Sequence, residues 1–562
     1  MATNPKHMAT APKTTTASGT PAIGGSGISL AGIIIGVIGC VIITASSVYT
    51  ALKMGALPWP TIFTSITALV LLRAFGHNSL NEANVTQIIM SAGSMVAGGL
   101  AFTIPGIWML GQADKVSWVE MLLVALAGTL LGLVCTALIR KRLVEESNLE
   151  YPIGVAAAET LRASQAGGAT GVKLFGSMAL AGAWSVARDV FGVIPAMLLT
   201  LPIPGVSFGL YNSPMMLSIG FLVGGAAVAF WFGGAVLANL GIIWGGTTLG
   251  LYDVATAQGI VSSLGMGLMM GSGLGVVLRD IIPSIPHYFS RKGEKGGGLR
   301  LLDVGGLALL VAAASLLVCF GLGLSPVASA VIVLLSFVTT IMSAQSVGQT
   351  GIDPMEIFGL IVLLAVAALG ESNQIKLFYV AGIIAVACGL GGDVMSDFKT
   401  GQLIGTNPRE MWIGQAIGAL LGTGVSVAVM VALVSAYGTG AFGPGQLFVS
   451  AQASVVATMV TGIPSVPAFA VGLIAGIVLY CLRIPAMMIG LGVYLPFYMS
   501  LSAPIGALAK VVYDLIAKHG KGSEGELSHD DTGIIVASGL LGGESIVGVI
   551  IALMTVATGL MG

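Results

Sequence analysis

From about residue 28 to its end, the chain alternates long apolar runs with short polar connections. Runs of about 20 apolar residues match what a helix needs to cross a bilayer. The pattern predicts spans at Ile28–Thr50, Pro58–Ala74, Val85–Leu110, Val116–Ile139, Phe175–Leu201, Met215–Leu240, Gln258–Leu278, Leu302–Leu322 and Pro326–Met342. It continues through Glu356–Leu369, Leu377–Leu390, Ile413–Val434, Val455–Thr461, Phe469–Leu482, Met487–Leu508 and Gly533–Met561. Several of these are short or interrupted, as broken or re-entrant helices are, and amphipathic Tyr151–Ala163 is too short to cross comfortably. The expected fold is an all-α polytopic membrane protein with about 14 to 16 membrane segments.

The polar stretches divide the chain. Residues Met1–Gly27, rich in Thr, Ala, Pro, Gly and Lys, read as a disordered cytoplasmic tail, with no cleavage signal after the run that follows. The longest polar interruption, Pro283–Arg300, reads as a cytoplasmic loop joining an N-terminal transmembrane half (28–282) to a C-terminal one (301–562). If the first four runs cross, Lys6, Lys13, Arg73 and Arg140-Lys141-Arg142 share one side, and only Lys53 and Lys115 lie opposite. The positive-inside rule then puts the N-terminus in the cytoplasm, with the chain in the plasma (inner) membrane. The halves also echo one another. Ser91-Ala-Gly-Ser94 before Pro105 resembles Ser343-Ala-Gln-Ser346 before Pro354, and Glu150–Gly154 with Glu159 parallels Phe398–Gly401 with Arg409-Glu410. Interrupted segments at corresponding places in two repeat-related halves mark a transporter's binding site. Chance similarity among small residues is the alternative.

Composition narrows the class. Of 562 residues, 56% are hydrophobic and 8% charged, and the mean hydropathy is +0.98. A soluble domain carries about 25% charged residues, so this chain cannot cover a water-facing surface. Its 82 glycines permit close helix packing in lipid. With 23 Lys+Arg against 24 Asp+Glu, nothing favours a nucleic-acid partner. The five cysteines stand singly in apolar runs and the five histidines fall in connections or termini, so neither a metal site, a disulfide framework nor a histidine proton relay is expected.

Against this background, charge within Gly389–Gly418 stands out. Asp393, Asp397, Lys399, Arg409 and Glu410 gather there, with Gly401, Gly405 and Asn407-Pro408 interrupting the helix. Lys399 and Arg409 can hold a substrate carboxylate, while Asp393 or Asp397 holds an amino group or a proton; an ordinary polar loop is the bland alternative. The Ser/Gly-rich run Ser91–Pro105, with Ser91 and Ser94, either offers backbone groups to a peptide-like ligand or merely packs closely. Glu150 and Tyr151 flank Pro152, where Glu150 contacts substrate or caps a helix, and Glu159 is a proton-carrier candidate. Asp353 before Pro354 reads as an N-cap, with Glu356 adding to the cap or reaching the cavity. Arg188-Asp189 reads as an internally neutralised pair, and Asp303 as an interfacial residue or cap. Tyr494 is presented by a span broken at Pro496, and Glu544 is a lone carboxylate in an apolar run, a further proton-coupling candidate. For an enzyme, Tyr252-Asp253 matches half of an intramembrane aspartyl protease motif, but Gly389-Leu-Gly-Gly-Asp393 is out of register for the rest. No His-Glu-x-x-His and no Walker loop occurs, so energy would come from an ion gradient. A passive channel explains the gathered acids and bases less well.

As a set, these motifs are familiar. Ser91-Ala-Gly-Ser-Met-Val-Ala-Gly-Gly-Leu-Ala-Phe-Thr-Ile-Pro-Gly106, Tyr151-Pro-Ile-Gly154 with Ala158-Glu159, and Asp397-Phe-Lys-Thr-Gly401 with Asn407-Pro-Arg409 resemble the oligopeptide transporter family, including its yellow stripe-like branch. So does Ile484-Pro-Ala486 leading to Gly492-Val-Tyr-Leu-Pro496. The resemblance runs in consistent order from about residue 28 to the C-terminus and, with short polar loops, points to the prokaryotic type. It implies a proton-driven symporter, working by alternating access on small peptides, peptide-like solutes such as glutathione, or metal–chelator complexes. No cofactor is implied, and a homo-oligomer is left open.

Overall fold

The computed structural model describes residues 27–54, 57, 60–147, 149, 151–165, 170–276, 278–279, 283, 304–350, 353–461, 464–519 and 529–561. Tail residues 1–26, the loop after Pro283 (284–300), Glu150 and Asp303 therefore lie outside the described residues, as does the side chain of Glu159. Nine helices in the described residues are long and apolar enough to cross a membrane, and seven shorter apolar helices accompany them.

The first part of the chain comprises α1 (Leu30–Met54), α2 (Pro60–Ala74), α3 (Leu80–Ala101), α4 (Pro105–Met109), α5 (Trp118–Arg140), α6 (Pro152–Gln165) and α7 (Thr170–Asp189). A hairpin of β1 (Met197–Thr200) and β2 (Gly209–Tyr211) leads to α8 (Pro214–Val223), α9 (Gly225–Val236), α10 (Gly246–Thr248) and α11 (Val254–Val276). Then come α12 (Val304–Leu316), α13 (Pro326–Thr350), α14 (Met355–Ala368), α15 (Gln374–Cys388), α16 (Val394–Ile404) and α17 (Pro408–Tyr437). The chain closes with α18 (Ala451–Thr461), α19 (Val466–Cys481), α20 (Ala486–Tyr494), α21 (Phe497–His519) and α22 (His529–Met561).

Short polar residues start these helices where hydropathy alone would leave the ends undefined. Ser117 and Glu120 form a reciprocal capping box on α5, and Asn407 caps α17 with Pro408 in its first turn. The pattern-based spans need two corrections. Phe175–Leu201 is not one helix: α7 stops at Asp189, Gly192 takes a left-handed φ of 63°, and the chain turns into the hairpin. Met215–Leu240 breaks at Gly224, between α8 and α9. The break expected near Pro496 separates α20 from α21, where Leu495 is extended.

Helix α3 is the axis of the fold. Every residue from Glu82 to Ala101 is buried, and α15 is buried from Leu377 to Cys388. Bonds between elements fix the two ends of the bundle. At one end the Gly27 N–H donates to Glu410 (2.7 Å) and Ser29 bonds Glu82. At the other, Gln112 donates to Gln374 (2.9 Å) and the Ser450 N–H to the Leu52 carbonyl (2.8 Å). These are called the Glu410 end and the Gln374 end below. Ser91, eleven residues into α3, lies about 16 Å along it at 1.5 Å per residue, near mid-depth.

Candidate functional site

The site is built on a helix break. Between α15 and α16 the residues Gly389–Asp393 form a π-helical turn inside an otherwise continuous helical path. Such turns loosen the backbone ladder and often sit at functional sites. The loosened Leu390 carbonyl accepts from Gln415 (2.7 Å) and Thr136 (3.1 Å), so neighbouring helices satisfy it without water. Gly392 is required there, because a Cβ would collide with the Ser343 hydroxyl of α13.

Four carboxylates gather around this break. Asp397 is buried in the first turn of α16, and its Oδ2 accepts from the Ser91 hydroxyl of α3 at 2.7 Å. Its other oxygen, Oδ1, is buried with no hydrogen-bond partner. Asp393, in the turn itself, interacts electrostatically with Asp353, Asp397 and Glu356. Glu356 is 3% exposed, and neither buried oxygen of Asp353 has a hydrogen-bond partner. Asp353 is thus not the expected N-cap: α14 begins after Pro354, with no side-chain cap bond, and the Asp353 carboxyl lies close to Gly392 instead. No ion pair in the described residues involves any of these four groups.

Other expected residues fall beside the same break. Ser94 donates to the Ser91 carbonyl (2.6 Å), one turn further along α3. Tyr151 is buried in a left-handed conformation (φ 50°), and its N–H donates to Gly348 of α13 (2.9 Å). A non-glycine residue held there is strained and needs surrounding contacts to keep it. Thr400 donates to the Gly154 carbonyl (2.9 Å), tying α6 to α16. The two echoing serine motifs flank the turn as well, Ser91 on Asp397 and Ser343 donating to the Cys388 carbonyl (3.2 Å).

The remaining expected residues are elsewhere. Lys399 is half-buried, two residues from Asp397 and so on a different face of α16, where its Cβ faces Gly154. Arg409 is exposed at the Glu410 end. Tyr494 is buried against Gly265 of α11. Glu544 is not a lone carboxylate: it accepts from Arg188, so Arg188-Asp189 is not a self-contained pair either. Asp253 is an exposed cap that accepts from the Thr256 N–H (3.0 Å), and Tyr252 donates to Ile242, which leaves no protease-like pairing with Asp393. Of the cysteines, Cys40, Cys135 and Cys388 are buried, whereas Cys481 is exposed and Cys319 partly so.

The sequence carries the signal of one further feature, a polar stripe on α3 that hydropathy alone does not reveal. On α3, Asn81, Asn84, Gln87, Ser91 and Ser94 recur at helical spacing and form a polar file. Gln87 donates to Asn84 (3.4 Å), Asn84 to Thr406 (3.3 Å) and Thr406 to Asn81 (3.1 Å), so the file runs from the Glu410 end toward Asp397.

Apolar helices spanning a bilayer, one of them broken at a buried carboxylate group, define the class: a multi-pass membrane transport protein. Residues 28–277 and 304–555 match the family described as OPT oligopeptide transporter protein, so the chain belongs to that family and is a transporter rather than an enzyme. It is 24% identical over 592 residues to the "Putative oligopeptide transporter" of Haemophilus influenzae, covering 91% of this chain and 93% of that one. Shorter stretches resemble plant proteins. Metal-nicotianamine transporter YSL2 of Arabidopsis thaliana is 34% identical over 107 residues, 17% of this chain and 15% of that one. YSL3 of the same plant is 32% identical over 100 residues, again 17% of this chain and 15% of that one.

Proposed function

We propose that the protein is a proton-coupled symporter that imports small oligopeptides or peptide-like solutes across the plasma membrane by alternating access, with its N-terminus in the cytoplasm. The observation that carries this is Asp397: a buried carboxylate at a helix break, bonded to Ser91 from the other part of the chain, with one oxygen unpartnered. A carboxylate without a cationic partner is costly in such surroundings, and a proton removes the charge. Protonation of Asp397, shared with Asp393 and Glu356, would let the loaded carrier reorient, and re-exposure to the cytoplasm would release the proton. Ser94 and Tyr151 would line the solute path, and the polar file of α3 would carry the proton toward the cytoplasm. Glu159 is the other proton-carrier candidate, with Glu150 beside the solute.

A second reading has its own support. Stretches of 107 and 100 residues are shared with plant proteins named metal-nicotianamine transporters. On this reading the cargo is a metal chelate, bound through its organic ligand.

Purified protein in liposomes loaded with a pH-sensitive dye tests both. Under an inward acid gradient, one pool among di- to pentapeptides, glutathione and iron or nickel chelates should acidify the lumen. Asp397→Asn should abolish that signal. Solute equilibration without proton movement would sink the symport and leave a facilitator.

A further inference from the structure

The Gln374 end holds a second charged cluster, apart from the broken helix. Glu544 of α22 accepts from the Arg188 guanidinium (3.0 Å), the Ser213 hydroxyl (2.8 Å) and the Met215 N–H (2.8 Å). Arg188 also grips Asp189 through two bonds of 2.6 Å and donates to the Asn212 carbonyl at 2.5 Å. Lys53, in the last turn of α1, is only 3% exposed. Its ammonium donates to the hydroxyls of Tyr211 (2.9 Å) and Tyr49 (3.3 Å), while the Glu544 carboxylate stays 4.0 Å away. The Tyr211 ring serves both cations, with its centroid 5.3 Å from the Lys53 nitrogen and 5.4 Å from the centre of the Arg188 guanidinium.

A buried ammonium held by neutral phenols, with its carboxylate beyond hydrogen-bond reach, is incompletely paired. Two cations converging on one carboxylate between aromatic walls is also how a protein recognises a carboxylate ligand. We propose that Lys53 and Arg188 form the binding site for a carboxylate of the transported solute, which Glu544 occupies as an internal stand-in in this conformation. The charges of Lys53 and Arg188 balance those of Glu544 and Asp189, so a solute carboxylate enters by competing with Glu544 for the two cations. The groups facing Glu544 and Lys53 are Tyr49 of α1, Arg188 and Asp189 of α7, Tyr211 of β2, Tyr437 of α17 and Tyr498 of α21. Access is short. The Asp189 side chain is 33% exposed and Tyr211, Tyr437 and Tyr498 are partly so, which puts the cations one layer below the surface.

The site deepens the transport reading and rests on it for the identity of the cargo, but binding tests it separately. Full-length protein in lipid nanodiscs would be titrated with trialanine, glutathione and nicotianamine, each beside its carboxamide form. At least one acid should bind tenfold or more tightly than its amide. Lys53→Gln should erase that preference by weakening the acid alone, Lys53→Arg should keep it, and Glu544→Gln, which removes the competing carboxylate, should bind the acid more tightly than the wild type does. Should Lys53→Gln not fold, Tyr211→Phe, which removes one partner of Lys53, should change the acid-to-amide ratio instead. Equal binding of every acid and amide by the wild type, or equal weakening of both by Lys53→Gln, would mean the cluster is only a structural staple and overturn the proposal. Loss of proton coupling in liposomes with the acid preference intact would overturn the symport and leave this site standing.

Discussion

At the residue scale, the cost of burying charge decides what each carboxylate is for. Glu544 is fully engaged by Arg188, Ser213 and Met215, whereas Asp397 keeps a free oxygen and Asp353 two. Removing Arg188 leaves buried Glu544 with only Lys53, 4.0 Å away, as a cation, so Arg188→Leu should lower stability by roughly 3–5 kcal/mol, whereas Arg188→Leu with Glu544→Leu should recover much of the loss. Equilibrium unfolding in detergent compares the two; equal losses would mean the pair is held by something other than charge. Asp253 makes the opposite case in solvent. Bonds from Thr256 hold its carboxyl below the ordinary aspartate value of 3.8. A lowered value means that the cap's contribution is full at neutral pH and fades as pH falls through 3.8 and below. Amide exchange at the start of α11 should therefore quicken on acidification in the wild type and be fast and pH-independent, beyond intrinsic rates, in Asp253→Ala. Neither Glu544's partner nor Asp397's could be read locally, since Arg188 lies 356 positions from Glu544 and Ser91 lies 306 from Asp397.

At the scale of elements, close helix crossings set the site's position. Helices α3 and α17 touch at Gly93 and Gly422, where a Cβ on Gly422 would collide with the Gly93 backbone. Gly422→Val should therefore destabilise by roughly 1–3 kcal/mol through overpacking. It should also lower uptake by shifting Ser91 away from Asp397, and Gly424→Val, where nothing stands within 4 Å, is the control. Identical melting of the two variants would remove the crossing from the account. Hydropathy located most of these helices because crossing length is a property of consecutive residues. It missed the hairpin after α7, since Ala196–Leu201 is apolar and only Gly192, Pro195, Pro202 and Pro204 betray the turn. It also missed the π-turn, because Gly391-Gly392 inside an apolar run reads like any packing glycine until Ser343 is seen against it. The charged stretch from Asp393 to Glu410 did mark the right region, but helix geometry splits it: Asp393 and Asp397 face the break while Arg409 reaches the surface.

At the scale of the whole molecule, charge and contacts together set orientation. The Gly27–Glu410 and Ser29–Glu82 bonds put the starts of α1, α3 and α17 at one end. Arg162 joins them by bonding the Leu403 carbonyl, and Trp412 of α17 donates to Leu133 near the end of α5 that carries Arg140. The Glu410 end thus collects Arg73, Arg140, Lys141, Arg142, Arg162 and Arg409. The Gln374 end carries Lys115 and Lys376, with Lys53 and Arg188 drawn into the Glu544 cluster. The positive-inside rule predicts that the Glu410 end faces the cytoplasm; the Lys53–Arg188 cluster would then open outward, where an imported solute would arrive. In a variant lacking the five native cysteines, Asp114→Cys should react with an impermeant maleimide on intact cells, and Arg409→Cys only after permeabilisation. The reverse pattern would turn the molecule over. The Lys53–Arg188 cluster would then meet solute on the cytoplasmic side, and the direction of transport would have to be read as export.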